Sequence, residues 1–153
     1  MHGRLWQRSQ HALQLWRGDG INKKREGLIV PITNVFDALS SEAKADKAAG
    51  IHIAKLLDSH QLGHYATELP PGTKINPHYH RHGEELYLIL RGSGSIHLWK
   101  PGEQARTSQR VQFGSVFTIP AGIVHQLEND SDESLVLVFS CHPDHLGDDR
   151  VLA

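Results

Sequence analysis

This chain of 153 residues has one cysteine, Cys141, so an internal disulfide framework is excluded. Cys141 ends a β-like run over residues 134–140 and reads as structural or partly exposed rather than nucleophilic. Net charge is nearly absent: 16 basic side chains against 17 acidic ones leave −1. Neither a basic footprint for nucleic acid nor an acidic tail for a basic partner is present. The one basic run, Lys23-Lys24-Arg25, is too short to mean more than a solvated loop. No apolar stretch approaches the length of a membrane helix, and the first twenty residues lack a signal-peptide core. A soluble cytoplasmic protein is therefore expected. There is no internal repeat, low-complexity segment or helix-turn-helix segment, and the length is near that of a single domain.

What the chain has in quantity is histidine, twelve in all, and two stretches use it with pattern. In the first, Asn76, His78 and His80 share parity, so on an extended strand their side chains point to one face while Tyr79 and Arg81 point to the other. Glu85, Tyr87 and Ile89 then alternate with Leu86, Leu88 and Leu90 in a run rich in β-formers, closed by Gly92. Two adjacent antiparallel strands would aim His78, His80 and Glu85 at one interior point. In the second stretch, Pro120-Ala-Gly122 reads as a tight turn that re-aims the chain into His125, and a strand over residues 126–129 brings that imidazole across. Three imidazoles and a carboxylate form a mixed nitrogen and oxygen set suited to a borderline divalent metal.

These stretches resemble the two motifs of the cupin superfamily. Gly72, His78, His80, Glu85 and Gly92 meet every specified position of the first, and Gly114, Pro120, Gly122, His125 and Asn129 every position of the second. With a background of roughly 7% even for a common residue such as Gly, chance agreement at all ten is negligible. The resemblance implies an all-β fold: a cupin-type β-barrel (double-stranded β-helix or jelly roll) with an N-terminal arm and one short helix. It assigns the metal to His78, His80, Glu85 and His125, and implies a homodimer packed through its sheets. Glu84 competes with Glu85 for the carboxylate position, but only Glu85 leaves the motif's six residues before Gly92; Glu84 then faces outward.

Around the motifs, residues 1–50 read as the arm and helix, 51–141 as the barrel, and 142–153 as a loose polar tail. Trp6, Leu13, Leu15 and Trp16 make residues 1–20 a candidate for packing on another subunit. Residues 27–31 read as a short strand ended by proline. The one helix signal lies within residues 35–49, with Ser40 or Ser41 as cap and Gly50 as terminator. Strands are expected over residues 51–57, 63–69, 95–99 and 110–119, the last two flanking the Pro101-Gly102 loop.

A set of three histidines and one carboxylate leaves coordination positions open on iron, manganese, nickel, zinc or cobalt. The resemblance then implies two reaction classes on a small oxygen-rich molecule: dioxygenation, and sugar or sugar-phosphate isomerisation as in mannose-6-phosphate isomerase-like cupins. Isomerisation needs a base and a cationic anchor, for which Lys74, Arg81 and Arg91 are the nearby candidates. Dioxygenation needs a dry pocket, for which Tyr87, Phe117, Leu127 and Phe139 are candidate lining residues, each equally explained as core. Tyr87, His82 and Gln126 are the candidate catalytic side chains, with His82 favoured as a rim residue of the turn at Gly83 and Asn129 as a structural asparagine. His2, His11, His142 and His145 lie near the termini and read as solvated. A metal-holding or small-molecule-binding module without turnover is the alternative of a different class.

Overall fold

Alternation of apolar and polar side chains over short runs builds two antiparallel sheets. The computed structural model describes residues 30–153; the expected arm over residues 1–20, the basic loop and most of the short strand at 27–31 lie outside it. After α1 (Val35–Ser41), the strands are β1 (Lys44–Asp46), β2 (Ile51–Asp58), β3 (Gly63–Leu69), β4 (His78–His80), β5 (Glu85–Arg91), β6 (Ser93–Trp99), β7 (Thr107–Gln112), β8 (Val116–Ile119), β9 (Val124–Glu128), β10 (Leu135–Cys141) and β11 (Arg150–Leu152), with a 3-10 turn at Pro143–Leu146. One sheet runs β1-β2-β3-β10-β5-β8 and the other β11-β4-β9-β6-β7. Their inner faces share one core, in which Tyr65, Leu69, Tyr87, Ile89, Leu137 and Phe139 of the first sheet meet Ile96, Val111 and Leu127 of the second.

The strand at β5 shows why the pattern works. Glu85, Tyr87 and Ile89 are buried while Leu86 is exposed, the period of two that an extended chain imposes. Gly92 reverses the chain after it at φ +74°, and a Cβ there would lie 2.5 Å from the Ser134 carbonyl oxygen. Only glycine fits both demands. Asn129, fully buried, ties the loop after β9 to the end of β3. Its amide donates to the carbonyls of Leu69 (2.8 Å) and Glu133 (2.7 Å), and its oxygen accepts from the backbone N–H (3.1 Å) and hydroxyl (2.8 Å) of Ser131.

Three expectations need correction. The helix begins at Val35, not near Ser41: the Asn34 side chain accepts from the N–H groups of Phe36 (2.9 Å) and Asp37 (3.2 Å) and caps it. The Ala- and Lys-rich stretch after it forms β1 and a turn, because the Asp46 carboxylate captures the N–H groups of Ala48 (3.1 Å) and Ala49 (3.0 Å). Second, residues 110–119 are two strands. The chain crosses from one sheet to the other at a turn in which Ser115 N–H donates to the Gln112 carbonyl at 2.8 Å. Third, residues 142–153 are no loose tail, since Arg150, Val151 and Leu152 pair with His80, Tyr79 and His78.

Candidate metal centre

The motif histidines and Glu85 come from opposite sheets rather than from adjacent strands. His78 and His80 stand on β4, and His125 on β9 is the cross-strand partner of His78. Glu85 begins β5 in the facing sheet. Three strands alternating toward the same interior deliver all four, and one ligating atom from each lies within 4.8 Å of the others. The rings of His78 and His125 lie 4.3 Å apart at their centroids. His80 Nε2 is 3.3 Å from one Glu85 oxygen and His125 Nε2 is 3.2 Å from the other. All four side chains are buried.

The hydrogen bonds fix which nitrogen each ring offers. His78 Nδ1 donates to the Asn76 carbonyl at 2.8 Å and His125 Nδ1 to that of Ile123 at 3.3 Å, so each turns Nε2 inward. His125 Nε2 and both nitrogens of His80 are buried with no hydrogen-bond partner among the described residues. Burial, reinforced by the neighbouring His125, pushes the His78 pKa down to about 3, and burial also lowers His80. Burial alone would raise the Glu85 carboxyl, but contacts from His125, His145 and His80 outweigh it and hold it well below the ordinary range. The lowered imidazoles of His78 and His80, an ionised carboxylate and buried nitrogens without partners are what a divalent cation requires of its donors.

The other candidates separate clearly. Tyr87 faces the cluster and its hydroxyl donates to Glu85 Oε2 at 3.2 Å; burial and that carboxylate raise its pKa well above the usual phenol. His82 is a rim residue whose side chain is 85% exposed and rests on Asp149. Gln126 donates to the Ile75 carbonyl at 2.9 Å and does not reach the cluster. Glu84 is exposed beside its buried neighbour. A cavity of about 20 Å³ adjoins the cluster, lined by His78, Glu85, Tyr87 and Phe139 among others; Phe117 and Leu127 do not line it and belong to the core packing.

Two participants carry no signal in the local sequence. His145, read as solvated, is 1% exposed. Its ring stacks on His80 at 4.2 Å, its Nε2 donates to the His82 carbonyl at 2.7 Å, and its Nδ1 sits 3.6 Å from Glu85 Oε1. Burial opposes its protonation, but the Glu85 carboxylate outweighs burial and raises its pKa. Arg150 lines the cavity from β11. Cys141 is also buried, and burial pushes its thiol far up, so it is structural and protonated.

Among the described residues no helix is long and apolar enough to cross a membrane. No curated protein matches the chain in sequence. In solved structures it is similar to a double-stranded beta-helix protein from Klebsiella pneumoniae, at 20% identity and a TM-score of 0.62, covering 82% of this chain and 98% of that one. It is similar to the capsular polysaccharide assembling protein CapF from Staphylococcus aureus at 19% identity and a TM-score of 0.61, covering 72% of this chain and 33% of that one. A third likeness is to Bacillus subtilis oxalate decarboxylase, a protein with Mn(II) centres, at 20% identity and a TM-score of 0.59, covering 75% of this chain and 30% of that one. The chain thus spans about a third of the latter two, and these likenesses show the fold. The profile of the Cupin domain family matches residues 65–141, half of the chain and the whole of both motif stretches, and the protein belongs to that family.

Proposed function

We propose that the protein binds one divalent transition metal on His78, His80, Glu85 and His125 and uses it for oxygen-dependent chemistry on a small oxygen-rich molecule. The observation that carries this is the set of buried imidazole nitrogens without partners, gathered beside one ionised carboxylate. A divalent metal with open positions supplies Lewis acidity and, where redox-active, electrons to dioxygen. The chain supplies the rest. The backbone carbonyls at Asn76 and Ile123 hold two rings in the inward-facing tautomer, Tyr87 holds the second oxygen of Glu85, and apolar walls exclude bulk water.

Sugar-phosphate isomerisation is less well supported, because the three cations that flank the motifs are engaged elsewhere. Lys74 pairs with Glu128 at 2.9 Å, Arg91 with Glu68 at 2.6 Å, and Arg81 donates to the Asp148 carbonyl at 3.1 Å. The cavity of about 20 Å³ is also far below what a phosphorylated sugar occupies. Manganese in the oxalate decarboxylase neighbour keeps that metal beside iron, nickel, zinc and cobalt as a candidate.

The test is elemental mass spectrometry on untagged protein and on a His78→Ala, His125→Ala double variant, followed by oxygen uptake with a panel of small diols, enediols and carboxylates. Near-stoichiometric metal that the variant loses, with uptake on some panel member, is the expected result. Metal without turnover on any substrate would favour the non-catalytic binding module. Absence of metal from both forms would overturn the proposal.

A further inference from the structure

We infer that Arg150 is the anion-binding residue of this cavity, placed to hold the carboxylate of a one- or two-carbon acid within reach of the metal cluster. The inference rests on the metal reading above for the second end of that acid, and on Arg150 alone for the first.

The register of the sheet puts Arg150 there. On β11 it is the cross-strand partner of His80, and directly opposed residues of an antiparallel pair project to the same face. Arg150 therefore enters the interior beside a motif histidine, and its side chain is only 5% exposed. Asp46 does not use up the guanidinium. Both carboxylate oxygens of Asp46 accept from Nη1, at 2.8 Å each. Arg150 Nε is buried with no hydrogen-bond partner among the described residues. The edge formed by Nε and Nη2 is one that a planar guanidinium offers to a carboxylate through two parallel hydrogen bonds. A buried donor left unpaired is destabilising, and a bound oxygen pair removes that penalty.

Position and size narrow the ligand. Arg150 lines the same cavity as His78, Glu85 and Tyr87, so an acid held on its free edge lies beside the metal ligands. That cavity measures about 20 Å³, so only the smallest acids suit it. Arg150, Ile53 and Leu146 also line a wider groove on the outer side, which makes these three side chains the wall between solvent and the cluster. An acid entering from the groove meets the guanidinium first. A structural ion pair alone would need neither the unpaired Nε nor a place on the cavity wall.

The experiment measures formate and oxalate binding to metal-loaded protein by calorimetry, with formamide as the uncharged control. It is repeated on metal-free protein by ligand-observed NMR with formate. The variant is Asp46→Asn with Arg150→Gln, which removes both charges together so that neither is stranded; its metal content and melting temperature are read alongside. The expected result is that the folded, metal-containing variant binds both acids about 10- to 100-fold more weakly than the native chain, with no such change for formamide. Formate binding to metal-free native protein that the variant lacks would support Arg150 even if the native chain carried no metal, in which case the metal reading alone fails. Equal affinity of native and variant proteins for the acids would overturn the assignment. So would the absence of any acid binding to the native chain in both states. Should the double variant unfold, Arg150→Lys is the second variant: it keeps the charge but loses the fork, and unchanged affinity for both acids there would also overturn it.

Discussion

The motif stretches and the segment from Pro143 to Leu152 send side chains to one cavity, yet they are encoded in different ways. On β4, β5 and β9 the inward residues are set by local alternation, so His78, His80, Glu85 and His125 face inward as a consequence of being extended. His145 and Arg150 arrive by a 3-10 turn and a strand of three residues. That strand is too short to be stable alone and gains its geometry from pairing with β4. The donor set is thus written into neighbouring residues, whereas the wall that faces it is written into a long-range docking. Chemistry common to a family and specificity particular to one chain can separate along that line.

The largest effect should come from the locally encoded side. Glu85→Ala removes the one carboxylate among three imidazoles, and metal affinity should fall by more than the about 10- to 100-fold typical of residues that only support ligands. Elemental analysis against the native chain reads it out directly, and near-native metal content in the variant would break the proposed donor set. Deleting residues 142–153 tests the other side. It strips β11 from β4 and removes buried His145 and Arg150, so the melting temperature should drop on the order of 10 °C. Metal should still be bound at near one equivalent per chain. If deletion empties the site, the C-terminal segment is part of the donor set and the comparison collapses.

The same contrast explains what was legible in the sequence. The strands at β2, β3, β5 and β10 follow from alternation and β-branched content, and the motif residues from spacing. Asn129 was read as structural, and its four hydrogen bonds show why a buried asparagine belongs there. The helix was misplaced because alanine and lysine propensity is weak against a turn that Asp46 can cap and a strand that β2 can pair. His145 looked solvated because a polar segment near a terminus usually is; nothing within it announces that β4 offers an open edge. Arg150 was invisible for the same reason, and so was its partner Asp46, 104 residues away in sequence. The sheet assignment of Glu85 was missed because parity fixes a face but not a neighbour.

Acid and alkali should separate the two regions. His78 titrates at about 3 in the folded chain against an ordinary 6.5, so between those values the unfolded chain binds more protons and stability rises with pH. The lowered His80 and Glu85 act in the same sense on acidification. His145 has the opposite sign: its raised pKa gives stability that is present below 6.5 and lost as pH rises through the folded value. Melting temperatures of metal-free protein should fall from pH 6.5 toward pH 3, and a smaller loss should appear on the alkaline side of 6.5. The acid limb should persist in the chain lacking residues 142–153, while the alkaline limb should shrink. A truncated chain with both limbs intact would mean that His145 does not sense Glu85.

The smallest expected effect is also the sharpest check on the reading of β5. Glu84 and Glu85 are chemically identical neighbours, and only their parity assigns one to the interior and the other to solvent. Glu84→Gln should leave metal content unchanged and shift stability by no more than about 0.5 kcal/mol, as exposed substitutions do, whereas Glu85→Gln should weaken the metal severely. Tyr87, which hydrogen-bonds Glu85 from two residues on, would have no carboxylate to hold if the strand were displaced by one. A slip of a single residue exchanges the two faces of the strand, burying Leu86 and Leu88 where Glu85 and Tyr87 now stand. Metal loss in the Glu84 variant with retention in the Glu85 variant would therefore relocate the whole of β5, and with it the wall that Glu85 presents to the histidines of β4 and β9.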